Sequence, residues 1–258
     1  MKDFTNVLQL KIHDASFRPN YDMKFPSSLA FKHAPLLALL VSFPLLNAAE
    51  ISGKITLTGT PPPEIQLPLD AVCGKMHTGK VTTRHYVVGK ESGLGNVFVY
   101  LKEGAPKTAA TGEAPLLDQT GCLYEPYVMG VVAGQTFKVR NSDPMMHNVH
   151  ATPKINSEFN FGQPLKGQVT EKNFPKPEVL VRLKCEVHAW MFAYVGVCDH
   201  PYFAVTDKDG NFTIKNVPAG NYTVEAIHLK AGAKMEKATV TKDEKKTLNF
   251  TLAVPAPK

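Results

Sequence analysis

From residue 50 onward the chain alternates apolar and polar residues, and turn-forming residues close each alternating run. No sustained helical period appears, so the pattern is that of strands with one apolar face. ISGKITLTG (51–59) alternates through Ile51, Ile55 and Leu57, and NVFVYLKEG (96–104) stops at Gly104. QTFKVRNSD (135–143) turns Phe137 and Val139 inward, and VLVRLKC (179–185) puts Val179, Val181, Leu183 and Cys185 on one face. AYVGV, YFAVTD, NFTIKNV, NYTVEAIH, EKATVT and KTLNFTL follow at short intervals, with turn residues between them. The stretch 104–120, poor in apolar residues, reads as a loop. Asp-Gly at 209–210 lies between two alternating runs and predicts a hairpin. Asp207, Asp209 and Asn211 do not make a calcium loop there, because the run passes straight into a strand. Many short strands at this spacing predict an all-β chain built as a β-sandwich.

Composition agrees. Of 258 residues, 43% are apolar and 20% charged, which excludes global disorder. The formal charge of +6 is carried by scattered lysines, so no nucleic-acid partner is expected. The N-terminal part reads as export machinery. Lys24 and Lys32 precede an apolar stretch from Ala34 to Leu46, and Asn47-Ala48-Ala49 supplies small residues before Glu50. That is the anatomy of a signal peptide cleaved near Ala49, too short to span a bilayer comfortably. A periplasmic or secreted protein without a permanent membrane anchor is therefore expected, and residues 1–22 lie upstream of the signal. Setting 1–49 aside removes five basic and three acidic residues and leaves a formal charge of +4.

Candidate chemistry lies in LKCEVHAWM (183–191). Cys185, His188 and Met191 stand at C-x2-H-x2-M spacing at the end of an alternating run. A thiolate, imidazoles and a thioether are the donor set that suits copper in both its oxidation states. A second histidine should follow another strand. In GQTFKVRNSDPMMHNVHA, a strand and an Asn-Ser-Asp-Pro turn lead to His147, with His150 as its rival three residues on. Zinc fits less well, because its fourth ligand is more naturally a carboxylate, a histidine or water than methionine. No C-x-x-C-H motif exists for covalent haem.

Two resemblances sharpen this reading. G-x-F-x-I…V-P-x-G-x-Y-x-V, carried by Gly210, Phe212, Ile214, Val217, Pro218, Gly220, Tyr222 and Val224, resembles the carboxypeptidase regulatory-like family of small prealbumin-like sandwiches. Its first strand resembles 51–59, which implies a small sandwich split by an inserted module. Residues from about 128 to 197 resemble the cupredoxins, amicyanin-like ones most of all, through MMHNVH and the contracted ligand loop. The resemblance implies a Greek-key β-sandwich and one type 1 copper ion held by His147, Cys185, His188 and Met191. It also implies that Asn148 tethers the ligand loop and turns its amide toward the thiolate. Phe174 and Val181 match the strand leading to the cysteine. Two positions depart from the family: Glu186 stands where Ser or Thr is usual, and Val187 where proline is often found. Trp190, the only tryptophan, is expected to cover the metal or to form an apolar exit for electrons.

The expected organisation is an upstream extension and signal in 1–49, and a first small-sandwich strand in 50–60. A cupredoxin-like domain follows in 61–200, with the rest of the small sandwich in 201–258. Cys73 and Cys122, both in loop-like sequence, are the expected disulfide, and Cys198 reads as a small buried residue. Cys73 with His77 is a rival metal pair, less favoured than a disulfide loop with surface histidines; His85 belongs to the same segment. His200 and His228 read as structural or exposed. The leading function is an exported one-electron carrier, not an enzyme, served by donor and acceptor redox proteins. Copper storage or delivery, and a carbohydrate- or protein-binding module with a vestigial metal site, are the alternatives.

Overall fold

A computed structural model describes residues 49–256. The expected signal peptide, apart from Ala49, lies outside the described residues. Among those described, no helix is long and apolar enough to cross a membrane.

The architecture is all-β. In chain order the strands are β1 (Glu50–Thr58), β2 (Phe98–Glu103), β3 (Leu116–Thr120), β4 (Leu123–Glu125), β5 (Val128–Val132) and β6 (Phe137–Asn141). They continue with β7 (His147–Thr152), β8 (Phe159–Gln163), β9 (Val169–Lys172), β10 (Glu178–Lys184), β11 (Phe192–Cys198) and β12 (Phe203–Val205). The last are β13 (Asn211–Ile214), β14 (Gly220–His228), β15 (Gly232–Val240), β16 (Lys245–Thr247) and β17 (Phe250–Ala253). One short helix, α1 (Ala71–Gly74), is capped by the Asp70 carboxylate, which accepts from the amides of Val72 and Cys73 at 2.8 Å each.

These strands form two sandwiches. In the larger, sheet β5-β11-β10-β7-β8 faces sheet β4-β3-β6-β9. Its core holds Leu117, Tyr124, Phe137, Val149, Phe174, Leu183 and Val195, all fully buried. In the smaller, β1 pairs with β13, β16 and β17, and the second sheet runs β12-β2-β14-β15. Ile51, Ile55, Val99, Leu101, Ile214, Val224 and Phe250 fill that core. A third cluster around Phe98, Tyr100, Tyr127 and Val128 joins the two. Phe98 fits because Gly130 and Gly196 stand opposite each other on β5 and β11. A β-carbon on Gly196 would come within 2.4 Å of the Phe98 ring, and one on Gly130 within 2.3 Å of Phe203.

The strand pairing departs from the sequence reading in four places. β2, expected within 61–200, pairs with β12 and β14 of the small sandwich, and its Val99 and Leu101 lie in that core. The small sandwich is therefore interrupted after its second strand, and the strands of the larger one run from 116 to 198. The expected loop at 104–120 ends in β3, whose inward Gln119 is fully buried and hides the apolar signature of a strand. Asp209-Gly210 does not close a hairpin, since β12 pairs with β2 while β13 pairs with β1, and the turn crosses between sheets. Gly210 takes φ +82° there, and a β-carbon would sit 2.3 Å from the Ile55 carbonyl oxygen. Lastly, the register of β10 shifts between Glu178 and Val181, with Leu180 at φ 61°. Val179 consequently packs with the inter-sandwich cluster, while Val181, Leu183 and Cys185 keep the inner face.

Candidate metal centre

Two antiparallel neighbours build the site. β7 pairs with β10 so that Lys184 faces His150 and Leu183 faces Ala151. Continuing that register carries Cys185 alongside Val149, and the loop beyond it alongside Asn148 and His147. Strand alternation then decides between the two histidines. His147, Val149 and Ala151 face inward and are fully buried, whereas His150 is out of phase. His150 lies on the outer face between the carboxylates of Glu186 and Glu158, each 2.5 Å away.

The ligand loop folds back on itself. The Met191 amide donates to the His188 carbonyl at 2.9 Å, and the Cys185 amide to the Met191 carbonyl at 3.2 Å. These bonds hold His188 and Met191 on the side of Cys185, and Met191 is fully buried in the same cluster. Nδ1 of His147 and Nδ1 of His188 are 3.0 Å apart, and Sγ of Cys185 is 3.8 Å from Nδ1 of His188. All three donor atoms lie within 4.8 Å of one another.

These separations fit a single ion. With nitrogens about 2.0 Å and sulfur about 2.3 Å from a metal, they subtend roughly 100° for N–M–N and roughly 125° for S–M–N. The donors are two imidazoles and a thiol beside a buried thioether, the soft set that suits copper.

The surroundings favour the thiolate and fix the rings. Burial alone would raise the Cys185 thiol; hydrogen bonding with His147 and with the amides of Asn148, His188 and Val187 outweighs it and brings the thiol below its ordinary range. The Asn148 amide donates to Sγ at 3.4 Å. The Asn148 side-chain oxygen accepts from the Glu186 amide at 3.0 Å, and its Nδ2 donates to Asn160 and Phe161. The tether reaches the backbone of residue 186, so the loop is held although Glu186 replaces the usual Ser or Thr. Glu186 turns its carboxylate outward to Lys184 and His150.

Asp143 belongs to the Asn-Ser-Asp-Pro turn between β6 and β7. It is 4% exposed, and its Oδ2 lies 2.8 Å from Nε2 of His147. The same carboxylate accepts from the amides of Gly121 and Cys122 at 2.7 and 2.8 Å. Burial lowers the proton affinity of His147, but the hydrogen bond and charge of Asp143, together with Cys185, more than reverse this and push it up to about 9. A carboxylate on the far nitrogen fixes which ring nitrogen is free to face a metal. Nothing in Asn-Ser-Asp-Pro separates such a role from plain turn chemistry. Nε2 of His188 points toward Asp70, 4.0 Å away.

Cys73 and Cys122 form a disulfide across 49 residues. Both sulfurs lie close to His188, but each is committed to the other. Cys73 is therefore not a metal partner of His77, whose Nε2 is 2.7 Å from the Gly121 carbonyl oxygen. Cys198 is free and buried, which pushes its thiol up to about 12. His200 and His228 are buried in hydrogen-bonded positions rather than exposed. Trp190 packs against His188 with ring centroids 5.2 Å apart, and its indole donates to the Cys122 carbonyl at 3.1 Å.

Comparison with known proteins addresses the small sandwich most directly. Residues 165–253 match the carboxypeptidase regulatory-like domain. The regulatory-like match begins ahead of β9 and reaches β17, so it takes in the ligand loop as well as the small sandwich. No curated protein matches the chain by sequence. Among solved structures, a variant of amicyanin in its Cu(I) form is 23% identical at a TM-score of 0.30, covering 38% of this chain and 97% of its own. A purple cupredoxin from Nitrosopumilus maritimus is 22% identical at a TM-score of 0.27, covering 32% and 98%. A Cu-containing nitrite reductase from Thermus scotoductus SA-01 is 19% identical at a TM-score of 0.29, covering 38% of this chain and 25% of its own. The chain thus spans a quarter of the reductase's length.

Proposed function

We propose that the protein is an exported carrier of single electrons. One type 1 copper ion would be held by His147, Cys185 and His188, with the buried Met191 supplying a thioether as fourth donor. The observation that carries this reading is the convergence of one thiol sulfur and two Nδ1 atoms, buried and within 4.8 Å of one another. Copper held by such a set supplies a one-electron couple.

The protein's own residues keep that couple reversible by holding the donors still. Asn148 ties the backbone of 186 to β7 and places its amide on the sulfur. Asp143 locks the His147 ring, and the two loop-closing backbone bonds locate His188 and Met191. Exposed apolar side chains next to ligands in the chain, Val187 at 51% and Met146 at 48%, are suited to brief docking of redox partners.

The test is optical. Loaded with Cu(II), the protein is expected to absorb strongly in the visible from thiolate-to-copper charge transfer, and Cys185→Ser is expected to abolish the band. A colourless sample at one copper per chain would end the proposal.

A further inference from the structure

A cleft of about 330 Å³ opens beside the proposed metal centre. One wall is a short ladder in which Gln66 bridges Thr82, with the Leu67 amide donating to Val81 and the Thr83 amide to Ile65. The other wall belongs to the larger sandwich and presents Tyr127, Trp190 and Phe192. Ile65 and Leu67 also line the cleft, and Ile65 is left 66% exposed. Arg84 also lines the cleft, but its guanidinium is engaged by Glu125, the Tyr124 carbonyl and the Tyr127 ring. His85 lines the cleft with Gln66, Thr82 and Thr83; its amide is taken by Glu64, and burial and Lys230 hold its ring toward the neutral form.

We propose that this cleft binds a small planar phenol of the hydroquinone class. Its volume lies at the lower end for ligand sites, about 300–1,000 Å³, which limits a small-molecule occupant to one or two rings. Three aromatic side chains on one wall select a flat π-system over an aliphatic molecule. Neutral His85 accepts a hydrogen bond from a phenolic hydroxyl. The redox identity of the occupant rests on the electron-carrier reading, because the Trp190 ring that walls the cleft also packs against His188. Oxidation of one hydroquinone to its quinone releases two electrons and two protons. Two Cu(II)-loaded chains would accept those electrons, one each, and the protons would pass to solvent, the first by way of His85.

Trp190 is the only tryptophan, so its emission reports the cleft directly. Metal-free protein is titrated anaerobically with tetramethylhydroquinone, which is fully substituted and cannot add to thiols, and with cyclohexane-1,4-diol as the non-aromatic control. Saturable quenching is expected with the hydroquinone and none with the diol. Ile65→Asp, at an exposed position outside the metal ligands, is expected to weaken binding at least tenfold while copper uptake and far-ultraviolet circular dichroism stay unchanged. No saturable quenching up to the solubility limit, or equal quenching in Ile65→Asp, would overturn the proposal. Failure here with an intact Cu(II) visible band refutes the cleft alone. Hydroquinone binding by a chain that takes up no copper upholds the cleft and refutes the electron carrier.

Discussion

Replacing Asp143 by asparagine isolates one charge beside the proposed couple. The Asp143 oxygen lies 2.8 Å from Nε2 of His147. Adding the width of an imidazole and a metal–nitrogen bond of about 2.0 Å puts that charge about 6.5 Å from an ion on Nδ1. At an effective dielectric constant of about 20, one unit of charge at that distance changes the balance between Cu(II) and Cu(I) by about 2.5 kcal/mol. For a one-electron couple this is a shift of about 100 mV, upward, because the lost negative charge had favoured the more positive ion. Stability should also fall. The carboxylate accepts three N–H groups, from Gly121, Cys122 and His147, and an amide cannot accept from both sides. One donor is left opposed, at a cost of about 1–3 kcal/mol. A spectroscopic redox titration at low ionic strength measures the first effect and urea unfolding the second. A potential that stays constant or moves down, with copper still bound, would refute the electrostatic role of Asp143.

Two further consequences follow from groups other than the ligands. Burial holds His228 neutral at a folded-state value of about 4, against 6.5 in the unfolded chain, and its Nδ1 accepts from the amides of Lys230 and Ala231. The unfolded state therefore binds the extra proton first, so stability is lost as pH falls from about 6.5 toward 4, by about 3 kcal/mol at most. In urea titrations at pH 7.5 and 4.5, His228→Gln should lose less stability on acidification than wild type; an equal loss would contradict the assignment. The Cys73–Cys122 disulfide closes a 49-residue separation, which corresponds to about 4 kcal/mol of loop-closure entropy in the unfolded chain. Replacing both cysteines by serine should lower the unfolding midpoint clearly, and an unchanged midpoint would show that the bridge is mechanically idle.

What the sequence disclosed, and what it hid, follows from how far apart the relevant atoms lie along the chain. Cys185, His188 and Met191 are legible because they share one loop, and β10 announces itself by alternation. Closeness to the turn and MMHNVH already set His147 ahead of His150 in the sequence, and strand alternation supplies the physical reason, with His147 fully buried and His150 on the outer face. Asn148 was legible through family resemblance, and its hydrogen bond to the backbone of 186 explains why Glu186 is tolerated there. Asp143 was not legible, because its work is done across space on residues 121, 122 and 147. The placement of β2 was hidden for a similar reason. Its apolar residues suit either sandwich, and only pairing with β12 and β14 assigns it to the smaller one. β3 escaped because a buried glutamine, Gln119, replaces an apolar residue and bonds to Gln163 in the core.

X-ray absorption at the copper edge of the loaded protein reaches the central claim most directly. The account predicts one short sulfur neighbour and two nitrogens at about 2.0 Å, with the sulfur lost in Cys185→Ser. A shell of oxygen and nitrogen alone, with no short sulfur in the unmutated chain, would contradict it.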